Sequence, residues 1–469
     1  MPLTESGRPP RIDRRQFILL VGVGAATAAT GCQSAPVSVM AERYPEPEQI
    51  VSKNGVLSAA VTVTRQPVDI GGQQIVGTVY NGSFVGPTLR LRPGERLELA
   101  VTNNLPEMTN IHFHGMHVSP SGVSDNVFIM IHQGQTQNYV VEVPQNHPSG
   151  TFWYHTHAHP YTEKQVFGGL AALLIVDGLT DKLPPELRGI EERTVVLKDF
   201  QAVNGAILTE NIDSNAPTTR TVNGAINPSL EIEAGETQLW RLANIGADIY
   251  YQVQLDGHPF HVLAVDGNPV WRVDSKDSIV MPPGTRFDVL VQGGEPGDHI
   301  LGTLAYDQQG DQYPEAPLAT LTVVPSPRTP AAIPAQVVAP YDLSTTKVDN
   351  SRTITFAKDQ ATGHFMVDGR MYDEARIDQQ VKLGAVEDWT IKNQDKQQHP
   401  FHIHVNDFQV MSINGVPYDA VSFQDTVNVP AFGETVIRIP FRDFTGKFVY
   451  HCHILNHADK GMMANVEVV

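Results

Sequence analysis

The chain has 469 residues, too long for one ordinary domain and enough for about three. Gly 38 and Pro 34, with many Val, Thr and Ile runs and few long 3.6-residue apolar periods, favour a β-rich fold with many turns. Lys+Arg 33 against Asp+Glu 51 leave a formal net charge of −18, which argues against a nucleic-acid partner, since phosphate would be repelled.

At the N-terminus, Arg14-Arg15-Gln16-Phe17-Ile18-Leu19 precedes a run of small and apolar residues from Leu20 to Ala29, then Thr30-Gly31-Cys32. This pattern predicts an export signal over residues 1–32, placing the mature protein in the periplasm or at the cell surface. The arginine pair resembles a twin-arginine signal, the route for proteins exported already folded, although Asp13 stands where Ser or Thr is usual. Gly31-Cys32 resembles the end of a bacterial lipoprotein signal, with Ala29 where Leu is preferred. Two outcomes follow: a lipidated Cys32 attached to a membrane, or simple cleavage nearby. The run is too short and too rich in Ala, Gly and Thr to serve as a permanent span. Residues 33–49, with Pro36, Pro45 and Pro47, read as a tether. The two cysteines, Cys32 and Cys452, each have another explanation, so no disulfide is expected.

Beyond the tether one unit recurs three times. A strand, a Gly-bearing turn and a second strand run from Pro87 through Gly94 to Asn103, return from Pro228 through Gly235 to Asn244, and return again from Val381 through Gly384 to Asn393. A later element recurs as Gly150 to His157, Gly297 to Leu304 and Gly446 to His453. The Pro325-Ser326-Pro327-Arg328-Thr329-Pro330 stretch has linker composition. The predicted domains are 50–178, 185–325 and 345–469, each of a size for a Greek-key β-sandwich.

Four histidine groups stand out: His112-Phe113-His114, His155-Thr156-His157, His399 through His402 to His404, and His451-Cys452-His453. Each holds an i, i+2 pair, which places both imidazoles on one face of a strand. On the last strand Cys452 points the opposite way, so one strand can serve two metal sites. A thiolate, two imidazoles and a weak thioether make a blue-copper electron-transfer centre, and Cys452, His457 and Met462 supply three of the four. The alternative for Cys452 is core packing, the usual fate of a lone free cysteine. Two histidine pairs lie in the first unit and two in the last, so eight imidazoles can surround a metal cluster where those units meet. Thiolate plus imidazole favours copper over oxygen-loving metals. In the middle unit Gly302, Thr303 and Leu304 take the place of ligands, and His258 and His261 read as packing or hydrogen-bonding residues. His117, His132, His147, His159, His299 and His364 match no ligand position, with His117 and His159 expected nearest the cluster.

From about residue 50 to its end the chain resembles the multicopper oxidases, which implies an all-β fold of three consecutive cupredoxin-like domains and four copper ions. The resemblance implies a type 1 (blue) copper on His399, Cys452 and His457 with Met462 axial, and a type 2 copper on His112 and His402. It places His114, His155 and His453 on one copper of the type 3 pair, and His157, His404 and His451 on the other. It implies one-electron oxidation of phenols or aromatic amines, with dioxygen reduced to water. Proton delivery then needs a carboxylate, and Asp125 fits the place of an acid following the first histidine pair, its alternative being an ordinary turn residue beside Gly122. One departure is Ala458, where many bacterial relatives carry Glu. Two other functions compete. A metal-ion oxidase of copper tolerance often carries a Met-rich insertion, whereas the 11 methionines here are scattered. An exported scaffold of the same fold would have lost ligands that this chain retains.

Overall fold

The computed structural model describes residues 44–469; the expected export signal, with Arg14, Arg15 and Cys32, lies outside them. The described chain is almost entirely strand, with two short helices at Thr162–Gly168 and Leu455–Asp459 and two single 3-10 turns. It forms three cupredoxin-like β-sandwiches in succession, each a pair of sheets closing on an apolar core.

The threefold repeat explains the sheets. Arg96–Asn103, Thr237–Asn244 and Val386–Asn393 each run down the middle of one sheet, parallel to an earlier strand and antiparallel to a later one. Alternate residues of the first and last copies face the core, as a half-buried strand requires. The asparagine ending each copy is a buried fastener. Asn103, Asn244 and Asn393 each accept the N–H two residues on, and their amides donate to distant backbone carbonyls such as those of Ile131, Met281 and Pro430. A turn polar group that would otherwise be buried without a partner is thereby satisfied.

The second sheet of each sandwich carries the recurring glycine strand. Gly150–His155, Gly297–Leu304 and Gly446–Cys452 pair antiparallel with Ala171–Val176, Ala316–Val324 and Met463–Val468. The first and last of these sheets place a histidine-bearing strand next in order, His112–His114 and His399–Ile403.

Two expected boundaries shift. The tether expected over 33–49 does not run free to its end: Asn223 Nδ2 donates to the Pro45 carbonyl, the Tyr44 hydroxyl bonds the Thr194 carbonyl, and Gln49–Val51 joins the first sandwich beside Thr88–Leu91. Prolines hold this segment extended, so it docks as an edge strand does. Within the expected second domain, the Ala202–Val203 and Ala206–Ile207 hairpin adds to the first sandwich's sheet at Val76.

Candidate metal centre

The register of two strand pairs brings the histidines together. In the first sandwich His112 lies opposite His155, and in the third His402 lies opposite His451. The two sandwiches then meet imidazole on imidazole: His112 stacks on His404 at 3.6 Å and 8°, and His114 on His402 at 3.8 Å and 9°. His157 and His451 face each other with Nε2 atoms 3.1 Å apart, and His404 Nε2 is 3.4 Å from the same nitrogen of His451. His453 packs between His114, at 4.9 Å, and His155, at 5.8 Å. The eight side chains occupy one buried space between the first and third sandwiches.

Backbone and carboxylate partners fix which nitrogen of each ring faces inward. His155 Nδ1–H donates to the Thr156 carbonyl at 2.7 Å, His451 Nδ1–H to Cys452 at 2.9 Å and His402 Nδ1–H to Asp425 at 2.9 Å. His112 Nδ1 lies 3.0 Å from Asp125. His114 is held the other way round, its Nε2–H donating to Asp425 Oδ1 at 3.0 Å. The opposite nitrogens, Nε2 of His112, His155 and His402 and Nδ1 of His114, are buried with no hydrogen-bond partner. Burial and the neighbouring imidazoles push His112, His114, His157, His404 and His453 well below their ordinary value, and burial pushes His155 and His451 to about 3. These rings are therefore neutral, with lone pairs converging on common points. Unsatisfied buried lone pairs of this kind are costly unless a cation takes them, so the donor set fits bound metal.

The second site lies on the other side of the same strand. His399 Nδ1, His457 Nδ1 and Cys452 Sγ form a triangle with edges of 3.1, 3.4 and 3.6 Å. Met462 is fully buried, and its backbone closes the loop by accepting from Cys452 N–H and donating to the His457 carbonyl. Burial pushes the Cys452 thiol well above its usual value, so a bound cation is required to hold the thiolate here. Phe365 stacks on His457 at 3.9 Å, and Asp395 Oδ2 lies 3.4 Å from His399 Nε2. Since His451 and His453 flank Cys452, one strand bridges the two donor sets, as its alternating side chains predict.

Three family models described as multicopper oxidase match residues 62–180, 191–322 and 341–469. The chain belongs to the multicopper oxidase family. A multicopper oxidase of Staphylococcus haemolyticus (strain JCSC1435) is 28% identical over 398 residues, 83% of each chain. The cell division protein FtsP of Dickeya dadantii (strain 3937) is 26% identical over 483 residues, 97% of this chain and 98% of its own. Among solved structures, the multicopper oxidase from Campylobacter jejuni, described as a metallo-oxidase, superposes with a TM-score of 0.79 at 27% identity, covering 92% of this chain and 98% of its own. A laccase-like multicopper oxidase from Ochrobactrum sp. gives 0.80 at 26%, covering 91% and 100%. Membership implies copper, and the inward-facing nitrogens and Cys452 suit it.

Asp125 is buried beside the cluster as well as in a turn. Its carboxylate accepts from Phe113 N–H at 2.9 Å and meets His112 Nδ1, and burial raises its carboxyl to about 8. His117 bridges the sandwiches, donating from Nδ1 to the Val405 carbonyl beside His404, whereas His159 lies out toward Asp459. In the middle sandwich His258 donates to the Asp256 carbonyl and accepts from Gly294 N–H, and His261 bonds Ser275. Sequence reasoning missed Asp425. Burial alone would raise this carboxyl, yet Arg286 and His402 hold it down at about 2. Arg286 of the second sandwich grips it with two hydrogen bonds of 3.0 and 2.7 Å and also bonds the Thr151 carbonyl of the first. No local spacing marks a residue whose partners come from three domains.

Proposed function

We propose that the copper-loaded protein is an exported, laccase-like oxidase of phenols and similar one-electron donors. The type 1 copper is held by His399, Cys452, His457 and Met462, the type 2 copper by His112 and His402, and the type 3 pair by His114, His155, His453, His157, His404 and His451. Copper bound there supplies one-electron acceptance at the first site and four-electron reduction of dioxygen to water at the cluster. The chain's own part is to hold ten imidazoles and one thiolate in place, to exclude water by burial, and to keep a proton on the Asp125 carboxyl beside His112 Nδ1. The observation that carries the reading is the convergence of unpartnered, buried imidazole nitrogens at the junction of the first and third sandwiches.

The resemblance to cell division proteins over nearly the whole chain favours a second reading, a non-enzymatic scaffold. A scaffold gains nothing from burying ten imidazoles, whose desolvation weakens the fold. The deciding experiment is copper analysis and visible absorption of the purified, copper-loaded protein, followed by oxygen uptake with a phenol and with Cu(I). About four coppers, an intense blue band and uptake with the phenol are expected. A protein that stays colourless and copper-free would overturn the oxidase reading, and uptake with Cu(I) alone would replace it with a metal-ion oxidase.

A further inference from the structure

One cavity lies away from both donor sets. It is an open cleft of about 710 Å³ between the second and third sandwiches, and no copper-ligand residue lines it. Its wall mixes aromatic and aliphatic side chains, among them Phe287, Tyr306, Tyr418 and Val280, with polar and charged ones such as Lys276, while Arg272 and Asp419 pair at 2.8 Å on its rim. A concave surface that offers both rings and polar groups suits a phenol, which presents an aromatic face and a hydroxyl.

One wall residue connects this cleft to the type 1 site. Tyr306, half-buried, donates its hydroxyl to Gln398 Oε1 at 2.7 Å, and Gln398 is bonded through its peptide to His399. Tyr306 also stacks on Tyr250 at 5.2 Å and 9°, and Tyr250, fully buried, reaches the Gln398 carbonyl at 3.4 Å and Asn428 Oδ1 at 3.0 Å. Asn428 donates to the same Gln398 oxygen and itself lines the cleft. Two stacked rings and three hydrogen bonds thus converge on the residue preceding His399.

We propose that this cleft, which no copper ligand lines, is a donor site for bulky phenols connected to the type 1 ligand set through Tyr306, Gln398 and His399. The inference rests on the oxidase reading above. A phenol seated against Tyr306 would give up one electron, for which Tyr306, Gln398 and His399 supply the route; copper held by His399, Cys452 and His457 would accept it, with dioxygen as the final acceptor. Its hydroxyl proton leaves to solvent at the open mouth of the cleft, and a phenoxyl radical departs. Tyr306 keeps its own proton, because Gln398 offers an amide and no base.

The test compares a bulky phenol with ferrocyanide, an inorganic donor with no aromatic ring for the cleft to hold. Three copper-loaded variants are used: Tyr306→Phe removes the hydrogen bond and keeps the stack, Tyr306→Leu removes both, and Val280→Trp fills the cleft from an exposed position. Copper content and the blue band of each variant report folding. The ratio of kcat/KM for the phenol to that for ferrocyanide is expected to fall tenfold or more in Tyr306→Leu and Val280→Trp, and less in Tyr306→Phe. Independently, calorimetry with a redox-inert methoxybenzene is expected to detect binding to the wild type and none to Val280→Trp. Unchanged ratios, or binding that survives Val280→Trp, would overturn the cleft while leaving the oxidase reading intact. A wild type that takes up oxygen with neither donor would overturn both.

Discussion

Asp425 orients two rings of the cluster, His114 through its carboxylate and His402 through its carbonyl. Its Oδ1 takes the Nε2–H of His114, so that ring presents Nδ1 to the cluster, and its other contacts neutralise the buried Arg286. Replacing one partner of a buried pair leaves the other charged and unpaired, a loss of about 3 kcal/mol or more. Asp425→Asn is therefore expected to lower the urea midpoint of the copper-free protein by that order. It should also reduce copper content below wild type, because His114 is no longer locked in one tautomer. Wild-type copper content together with a wild-type midpoint would remove Asp425 from this role.

At the scale of the element, the recurring glycine does different work in different copies. A Cβ on Gly150 would stand 2.5 Å from the Gly267 carbonyl oxygen, in the backbone of the second sandwich, whereas a Cβ on Gly297 meets nothing within 4 Å. Gly297 instead has φ near +139, where only glycine rests without strain. Gly150→Ala is expected to cost about 1–3 kcal/mol by forcing two sandwiches apart, and to lower copper content with it. Gly297→Ala should lower the melting temperature and spare copper binding, since its strand carries no ligand. Equal copper loss in both would show that the contact with Gly267 is not what matters. The repeat itself was legible because turn glycines and fastener asparagines are local necessities of each sandwich, and the i, i+2 histidines were legible because strand alternation is local too. The Ala202–Ile207 hairpin was not, since strands of two residues carry no period. Asp425 and Arg286 were not, since they lie 139 residues apart and pair only when the second and third sandwiches meet.

For the whole molecule, the junction that gathers the histidines also sets the pH response of the copper-free protein. His112, His114, His147, His155, His157, His404, His451, His453 and His457 all sit at about 3 or well below the ordinary value, burial being the largest cause. In the unfolded chain each would titrate near 6.5. A histidine with a depressed folded value gives stability that is fully present above 6.5 and is lost as pH falls below it, because the unfolded chain then binds the extra protons. Four buried carboxyls with large shifts oppose this: burial raises Asp125 and Asp407 to about 8 and Asp266 to about 7, and burial with Glu163 raises Asp248 well above its usual value. Their stability is present in acid and is lost as pH rises toward 7 and 8. Between pH 7 and pH 5.5 nine groups lose against four that gain, each by roughly 1–2 kcal/mol, so the net loss is on the order of 3 kcal/mol. Urea unfolding of the copper-free protein at those two pH values is the measurement, and a lower midpoint at pH 5.5 is expected. A midpoint that holds or rises on acidification would mean that the imidazoles at the junction take up protons in the folded state. They would then not form the neutral, inward-facing donor set on which copper binding depends.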